Sequence, residues 1–258
     1  MRTEPAWWAP PLMAVQFLTR LPVPWLARLD AAQASVALSR AMAWLPLAGA
    51  LIGTVTAAVF CAARLVWPAP ITAVIALIVE ARLTGAFHED AVADFCDAFG
   101  GGHAAEDVHR ILKDSRIGSY GALGLGLAVV LRLAAIVALP PGIAFAAIVA
   151  AATAGRLWAV AVMATVPPAP AGSGVARAIG ASGPRLLVAG IATALPGLIP
   201  LAMVAPAAIG VAAVAGIVFV AWFRRLLLRR IGGSVGDSLG FAAYAGQLAL
   251  LLAACARW

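Results

Sequence analysis

Three aspartates at helical spacing are the most informative feature of this sequence. In the run from Gly85 to Gly102, Asp94 lies about 40° and Asp97 about 20° from Asp90 around a helix axis, so all three share one face. Like charges one turn apart repel, and a surface helix has no need to concentrate them. A divalent cation would relieve the repulsion, and hard carboxylate oxygens suit Mg²⁺. The spacing therefore predicts an Mg²⁺ site, with a solvated polar face as the alternative.

His88, just before these aspartates, is a candidate metal ligand or general base. If the helix already included His88, its side chain would point away from the three carboxylates. A catalytic role for His88 therefore requires that the helix begin after it. Eight of the eleven acidic residues lie between Glu80 and Asp114, so we expect the chemistry to be concentrated there.

Two further segments place glycine and charged residues where an apolar helix is expected to begin. Unpaired N–H groups at a helix N-terminus can bind phosphate, and Lys or Arg side chains add cationic donors. Asp114 and Asp237 would ligate a metal or orient those cations. Both segments are predicted to bind substrate phosphate, while capping, packing and membrane topology are the alternative explanations. The candidate residues are Lys113, Asp114, Arg116 and Gly118 in the first segment, and Gly232, Gly233, Gly236 and Asp237 in the second.

The composition predicts a membrane protein. The chain is 64% hydrophobic and 11% charged, whereas soluble domains carry about 25% charged residues. Apolar runs long enough to cross a bilayer occur at seven places, and the second is the weakest because it contains Glu80 and Arg82. We predict an all-α polytopic integral membrane protein with about seven transmembrane helices, six to eight being possible, in a single membrane domain covering residues 1–258. The predicted spans are approximately 42–66, 69–86, 117–139, 141–166, 185–204, 206–223 and 238–256.

Residues 1–40 are expected to form an interfacial segment. They are amphipathic, they contain Trp7, Trp8 and Trp25, and prolines interrupt their helical pattern. A cleaved signal peptide is not expected, because a basic region, a continuous apolar core and a small-residue cleavage site do not follow one another here.

The basic residues predict the orientation in the membrane. With a cytoplasmic N-terminus, fourteen of the eighteen Lys and Arg residues fall on the cytoplasmic side. The segment 87–116, the expected Asp-rich catalytic loop and helix, then also lies in the cytoplasm, and the expected location is the bacterial cytoplasmic (inner) membrane. The net charge of +7 is mostly this topological signal, so we expect membrane lipid and no nucleic acid as a partner. The fourteen are Arg2, Arg20, Arg28, Arg40, Arg82, Arg110, Lys113, Arg116, Arg177, Arg185, Arg224, Arg225, Arg229 and Arg230.

Arg132 and Arg156 lie within predicted spans, where a buried arginine needs a partner. Glu80 is the only acidic residue at similar depth. A structural pair of Glu80 with Arg156 and a phosphate-facing arginine are both compatible with the sequence.

Together the three segments resemble the cobalamin synthase (adenosylcobinamide-GDP ribazoletransferase) family. That family carries His-x-Asp-Gly-x-x-Asp-x-x-Asp-Gly, then Lys-Asp-Ser-Arg-x-Gly-x-x-Gly, and near its end Gly-Gly-x-x-Gly-Asp-x-x-Gly. The corresponding stretches here are 88–98, 113–121 and 232–240, in the same order. Ala91 and Ala98 stand where the family has glycine, which bears on how closely another backbone can approach those points.

The resemblance implies a transferase that joins adenosylcobinamide-GDP to α-ribazole or α-ribazole 5′-phosphate, giving adenosylcobalamin or its 5′-phosphate and GMP. Asp90, Asp94 and Asp97 would hold Mg²⁺ against the pyrophosphate, and Lys113 and Arg116 would neutralise phosphate charge. The ribazole 5′-hydroxyl is expected to attack the phosphorus on the cobinamide side, with His88 or one aspartate taking its proton. A homo-oligomer is compatible with this function.

Two other classes of protein are alternatives. One is another Mg²⁺-dependent membrane phosphotransferase or prenyltransferase acting on a pyrophosphate substrate. The other is a divalent-cation transporter, which would require acidic residues deep within several spans, and only Glu80 meets that requirement.

Overall fold

The computed structural model describes residues 4–170 and 183–256, and within them the regular structure is helical, without strands. The predicted all-α fold is confirmed. Two short 3₁₀ helices cover Pro24–Arg28 and Met42–Trp44. The α-helices are α1 Ala9–Leu18, α2 Ala31–Ala41, α3 Leu45–Ala63, α4 Ala69–Thr84, α5 Phe87–Gly101, α6 Ala105–Ile111, α7 Ser119–Ala138, α8 Ala144–Thr165, α9 Pro184–Val204, α10 Pro206–Ile231 and α11 Gly236–Cys255.

In the described ranges, six helical stretches are long and apolar enough to cross a membrane. They are the continuous stretch Ala31–Ala63, which joins α2 to α3, and the helices α7, α8, α9, α10 and α11. Helix α4 has 16 residues and passes the same test only together with α5, which would make seven spans. The prediction of a polytopic membrane protein is confirmed, and the run at 69–86 is the weakest, as expected.

A sharp bend separates α4 from α5. Gly85 and Ala86 both adopt left-handed backbone conformations, with φ of 73° and 58°. Such a conformation costs a residue with a Cβ about 1–2 kcal/mol, so surrounding contacts must hold Ala86 in place. The two helices meet at 89°, and α5 therefore does not continue the direction of α4.

Helix α8 forms the centre of the bundle, where it packs against α3, α9 and α11. In its most apolar stretch 78% of the residues are buried, against 22% for α7, α9 and α10, whose remaining surfaces are available to lipid. Small residues allow this close packing. At Gly155, a Cβ would collide with the carbonyl oxygen of Ala243 on α11.

The N-terminal segment folds as two short helices before α3. Asp30 caps α2 by accepting a hydrogen bond from the Gln33 amide at 2.8 Å, and the Gln33 side chain accepts one from the Asp30 amide at 3.2 Å. Trp7 and Trp25 are exposed, and the interfacial position of residues 1–40 stays a prediction, since Ala31–Ala41 already belongs to the first membrane-spanning stretch. Of the residues that predict the orientation, Arg2 and Arg177 lie outside the described residues.

Candidate active site

The predicted chemistry is gathered at one end of the bundle. Helices α3, α7 and α11 begin there, whereas α4, α8 and α10 end there. A cavity of about 300 Å³ opens between these ends and α5. Its polar wall brings together residues from four helices and the connection after α6, namely His88, Asp90, His109, Lys113, Arg156 and Asp237. Its apolar wall is formed by Phe17, Leu18, Met42, Leu45, Phe87, Leu112, Ala159, Met163 and Leu239, among others.

The aspartates of α5 are joined by an aspartate from the other end of the sequence. Burial raises the pKa of Asp94 to about 6, and the negative charges of Asp90, Asp237 and Asp97 contribute in that order. Asp90 and Asp237, which is at the start of α11, line the cavity, whereas Asp94 does not line it. The acidic group is therefore built from two helices, which the spacing within α5 alone could not indicate.

Asp97 differs from the other aspartates because its carboxylate already has partners. Its two oxygens accept hydrogen bonds from the amides of Gly118 at 2.7 Å and Gly121 at 2.8 Å. These amides belong to the first turn of α7, where a negative charge is favourable. Asp97 thus caps α7 from a neighbouring helix.

Gly118 does not offer a free amide to a phosphate in this structure. Its N–H is donated to Asp97, so phosphate binding there would require this bond to break. A Cβ at Gly118 or Gly121 would also collide with the Asp97 carboxylate. These glycines allow α5 and α7 to approach one another.

His88 lies within α5, because the helix begins at Phe87. The condition set for a catalytic role, that the helix begin after His88, is therefore not met. His88 is buried and still lines the cavity together with Asp90. Burial, followed by the positive charges of Arg156 and Arg132, lowers the pKa of His88 well below its usual range. At neutral pH the imidazole is therefore uncharged and can accept a hydrogen bond.

The basic segment after α6 is divided between the cavity and the solvent. Lys113 lines the cavity. Arg116 instead grips Asp114 with Nε at 3.0 Å from Oδ1 and Nη2 at 2.7 Å from Oδ2, which lowers the pKa of Asp114 to about 2. Both partners are solvent-accessible and neither lines the cavity. The phosphate-binding role of this pair remains a prediction.

In the segment before α11, two of the predicted phosphate-binding residues pack against the protein and two line the cavity. Gly232 ends α10 in a left-handed conformation, with φ of 72°. A Cβ on Gly233 would lie 2.6 Å from the carbonyl oxygen of Pro167, and the following Ser234 amide donates to that same oxygen at 2.8 Å. These two glycines hold the connection against the end of α8, while Gly236 and Asp237 line the cavity.

Ala91 still permits a close approach between helices, although the family pattern has glycine there. The glycine is supplied from the opposite side, since a Cβ on Gly240 of α11 would collide with the Ala91 Cβ. Ala91 and Ala98 are both buried. The contact of α5 with α11, which brings Asp237 to the other aspartates, is preserved.

A cluster of three charged groups lies deeper in the bundle, and each group has an ion-pair partner. Arg132 Nη2 donates to both oxygens of Glu80 at 2.7 Å, and Nη1 donates to Glu89 Oε1 at 3.3 Å. Thr56 donates to Glu80 at 2.9 Å, and the Arg132 guanidinium lies 5.5 Å from the centre of the Tyr244 ring. The sequence left open a structural pair of Glu80 with Arg156 and a phosphate-facing arginine. The structure does not form the Glu80–Arg156 pair, because Glu80 is bound by Arg132.

The donor set at the cavity fits a hard divalent cation in its chemistry. Asp90, Asp94 and Asp237 are carboxylates whose mutual repulsion a cation would relieve. As the side chains stand in residues 4–170 and 183–256, no three His, Cys, Asp or Glu groups form a metal site. A site would therefore require side-chain adjustment, which the exposed Asp90 is free to make.

Comparison with known proteins identifies the family of the chain. The family model described as cobalamin-5-phosphate synthase matches residues 10–255. The chain belongs to this family. The resemblance carried by the three motifs is thereby confirmed over nearly the whole chain.

Curated relatives carry the name adenosylcobinamide-GDP ribazoletransferase. The protein of Shewanella frigidimarina is 45% identical over 150 residues, which are 57% of this chain and 56% of the relative. This chain thus spans only about half the length of that relative. The protein of Ralstonia pickettii is 38% identical over 251 residues, or 92% of this chain and 91% of the relative, and that of Ralstonia nicotianae is 38% identical over 248 residues, or 93% and 92%. No solved structure matches the chain.

Proposed function

We propose that this membrane protein transfers the cobinamide phosphate of adenosylcobinamide-GDP to α-ribazole or α-ribazole 5′-phosphate and releases GMP. The observation that carries the proposal is the cavity in which Asp90, Asp237 and Lys113 meet. Carboxylates that can hold a cation, next to a cationic side chain, are what transfer at a pyrophosphate requires. Family membership and the names of the curated relatives support the same reaction.

The bond changes balance with a ribose hydroxyl as the nucleophile. Its oxygen forms a bond to the phosphorus on the cobinamide side, the bridging P–O bond of the pyrophosphate breaks, and GMP takes the bridging oxygen. An acceptor that carries a 5′-phosphate has no free 5′-hydroxyl, and a product that is itself a 5′-phosphate retains that group. With that acceptor the expected attack by the 5′-hydroxyl is not possible, and another ribose hydroxyl must form the new bond.

The residues in and around the cavity divide this work. Asp90, Asp94 and Asp237 would hold Mg²⁺, which would neutralise charge on the pyrophosphate and on the departing GMP. Lys113 binds a phosphate oxygen from the cytoplasmic side. His88, which lines the same cavity as Asp90, or one of the aspartates accepts the proton of the attacking hydroxyl. Asp97 holds the start of α7 in place.

The size of the cavity decides which part of the substrates enters it. A volume of about 300 Å³ is at the lower end for ligand pockets and accommodates a phosphate with a small aromatic group. A corrinoid macrocycle is far larger, so it stays outside the cavity, against the end of the bundle. The apolar wall around Phe17, Met42 and Met163 suits the aromatic base of α-ribazole.

The positive-inside distribution supports a position in the bacterial inner membrane with this end of the bundle in the cytoplasm. There the cavity has access to soluble nucleotides. A divalent-cation transporter is not favoured, because Glu80, the acidic residue within a predicted span, is bound by Arg132.

A turnover assay on detergent-purified, lipid-supplemented protein tests the function. The assay supplies adenosylcobinamide-GDP, α-ribazole and Mg²⁺, and chromatography follows the cobamide product and GMP. We expect equal amounts of both products, none with EDTA, and an unchanged rate in the control variant Asp107→Asn, whose carboxylate pairs with Arg110 outside the cavity. Folded protein that gives no cobamide with either acceptor would refute the proposal.

A further inference from the structure

Arg156 is the one residue of the polar wall that lies deep inside the bundle. It is on α8, nine residues before the helix ends at Thr165, or about 14 Å along the axis. Its side chain is 1% exposed and yet lines the cavity. The cavity therefore reaches a guanidinium group at the level of the membrane-spanning helices.

The surroundings of Arg156 provide hydrogen-bond acceptors but no carboxylate in direct contact with its guanidinium group. Nη1 donates to the Gln247 side-chain oxygen at 3.0 Å and to the Ala152 carbonyl at 3.3 Å. Its buried Nε has no partner; the same is true of Arg132 Nε, so the two arginines differ in their ion pairs rather than at Nε. None of the ion pairs found among the described residues includes Arg156, because Glu80 is bound by Arg132. A buried cation without a direct ion-pair partner is costly unless a ligand supplies one.

The packing around Arg156 fixes its position. A Cβ on Gly49 would lie 3.1 Å from Arg156 Cδ, and a Cβ on Gly155 would lie 3.3 Å from Gln247 Cβ. The side chain is thus enclosed by α3, α8 and α11, and Gln247 holds one end of its planar donor group. A pre-positioned guanidinium with unused donors suits the oxygens of a phosphate.

We propose that Arg156 is the substrate-anion-binding residue at the floor of the cavity and that Gln247 positions it. The anion is a phosphate group of a substrate, either the pyrophosphate of the activated corrinoid or the 5′-phosphate of the acceptor. The inference rests on the proposed function for the identity of these substrates. It also explains why the two buried arginines differ, since Arg132 has its carboxylates within the protein and Arg156 receives its anion from the substrate.

Calorimetric titration with inorganic pyrophosphate in Mg²⁺-containing buffer tests the inference on purified full-length protein. In Arg156→Gln the dissociation constant should rise about tenfold or more, because a charged hydrogen-bond donor is lost. In Gln247→Glu it should rise similarly, because the new carboxylate neutralises Arg156 in place, and this variant keeps the buried arginine paired. Arg156→Lys should recover part of the binding. Arg225→Gln, which removes a basic residue outside the cavity, is the matched control and should bind as the wild type does.

Two results would overturn the inference. One is wild-type affinity for pyrophosphate in both Arg156→Gln and Gln247→Glu, and the other is no pyrophosphate binding by folded wild-type protein. Failure of the proposed function is distinguishable, because pyrophosphate binding that depends on Arg156 can persist in a protein that forms no cobamide.

Steady-state kinetics separate the two sources of the anion. If Arg156 binds the pyrophosphate, Arg156→Gln raises the KM for adenosylcobinamide-GDP with either acceptor. If it binds the acceptor phosphate, the variant raises the KM for α-ribazole 5′-phosphate and leaves that for α-ribazole unchanged. Unchanged KM values for all three substrates would contradict a substrate-binding role.

Discussion

Two groups of charged residues lie in the same bundle, and they are organised differently. Around Arg132, Glu80 and Glu89 every charge has a partner within the protein. Around the cavity, Asp90, Asp94 and Asp237 repel one another, and Arg156 has no carboxylate partner among the described residues. The first arrangement stabilises the helix packing, whereas the second leaves charges free for ligands. Charges that a protein buries without compensation mark a binding site more specifically than charge alone.

The largest effect on stability is expected where the pairing is most complete. Arg132→Gln leaves Glu80 buried with only Thr56 as a partner, which costs about 3–5 kcal/mol of stability. A thermal-unfolding scan of purified protein measures the loss.

The double variant Glu80→Gln with Arg132→Gln is the control for the Arg132 prediction. It removes both charges and should recover a substantial part of the stability. If Arg132→Gln unfolds at the wild-type temperature, the paired cluster does not stabilise the fold and the contrast with the cavity fails.

A second prediction concerns the contact between α5 and α11 that brings Asp237 close to the aspartates of α5. Gly240→Ala places a methyl group against the Ala91 Cβ and should cost about 1–3 kcal/mol through overpacking. Turnover should fall as well, because α5 and α11 separate and Asp237 moves away from Asp90.

Exchange of the two side chains tests whether the Gly240→Ala effect is steric. The double variant Ala91→Gly with Gly240→Ala moves the methyl group to the other helix and should restore most of both losses. Gly126→Ala, at an α7 position with no atom within 4 Å of the added Cβ, should leave stability and turnover nearly unchanged. A double variant no better than Gly240→Ala would show that the Ala91 contact is not the cause.

The smallest effects are expected on the KM for adenosylcobinamide-GDP, where a basic residue of the cavity wall is compared with one outside the cavity. Lys113→Gln removes a cationic group from the cavity wall and should raise the KM for adenosylcobinamide-GDP about tenfold. Arg116→Gln breaks an exposed pair with Asp114 and should change this KM by less than about fivefold. Steady-state kinetics of the two variants, measured side by side, decide which basic residue contacts the substrate. A larger rise in Arg116→Gln would support its predicted phosphate-binding role instead.

The spans were predictable because membrane thickness fixes the length of apolar sequence that they need. The bend between α4 and α5 was not, because left-handed backbone at Ala86 opposes the preference of alanine and is imposed by tertiary contacts. Asp90 and Asp94 were indicated by their spacing within one helix.

The partners of charged residues were less predictable than their types. The sequence places both Arg132 and Arg156 near the middle of predicted spans. Only the packing of the helices shows that Arg132 is the one that forms the ion pair with Glu80. Asp97 shares a helical face with Asp90, but Gly118 and Gly121 of α7 occupy its oxygens. Asp237 joins the acidic group through the packing of α11 on α5, and no local pattern encodes such a contact.

Asp94 and Asp97 provide the most direct test of the account, because they lie on one face of α5 and can be changed to the same isosteric residue. Turnover and thermal stability would be measured together for Asp94→Asn and Asp97→Asn. Asp94→Asn should lower turnover about 10³-fold, as expected when a metal ligand worth several kcal/mol is lost, with thermal stability unchanged or raised. Asp97→Asn leaves one α7 amide without its acceptor, so it should lose about 1–3 kcal/mol of stability and retain far more activity. Wild-type turnover in Asp94→Asn, or an inactive Asp97→Asn of unchanged stability, would contradict the account.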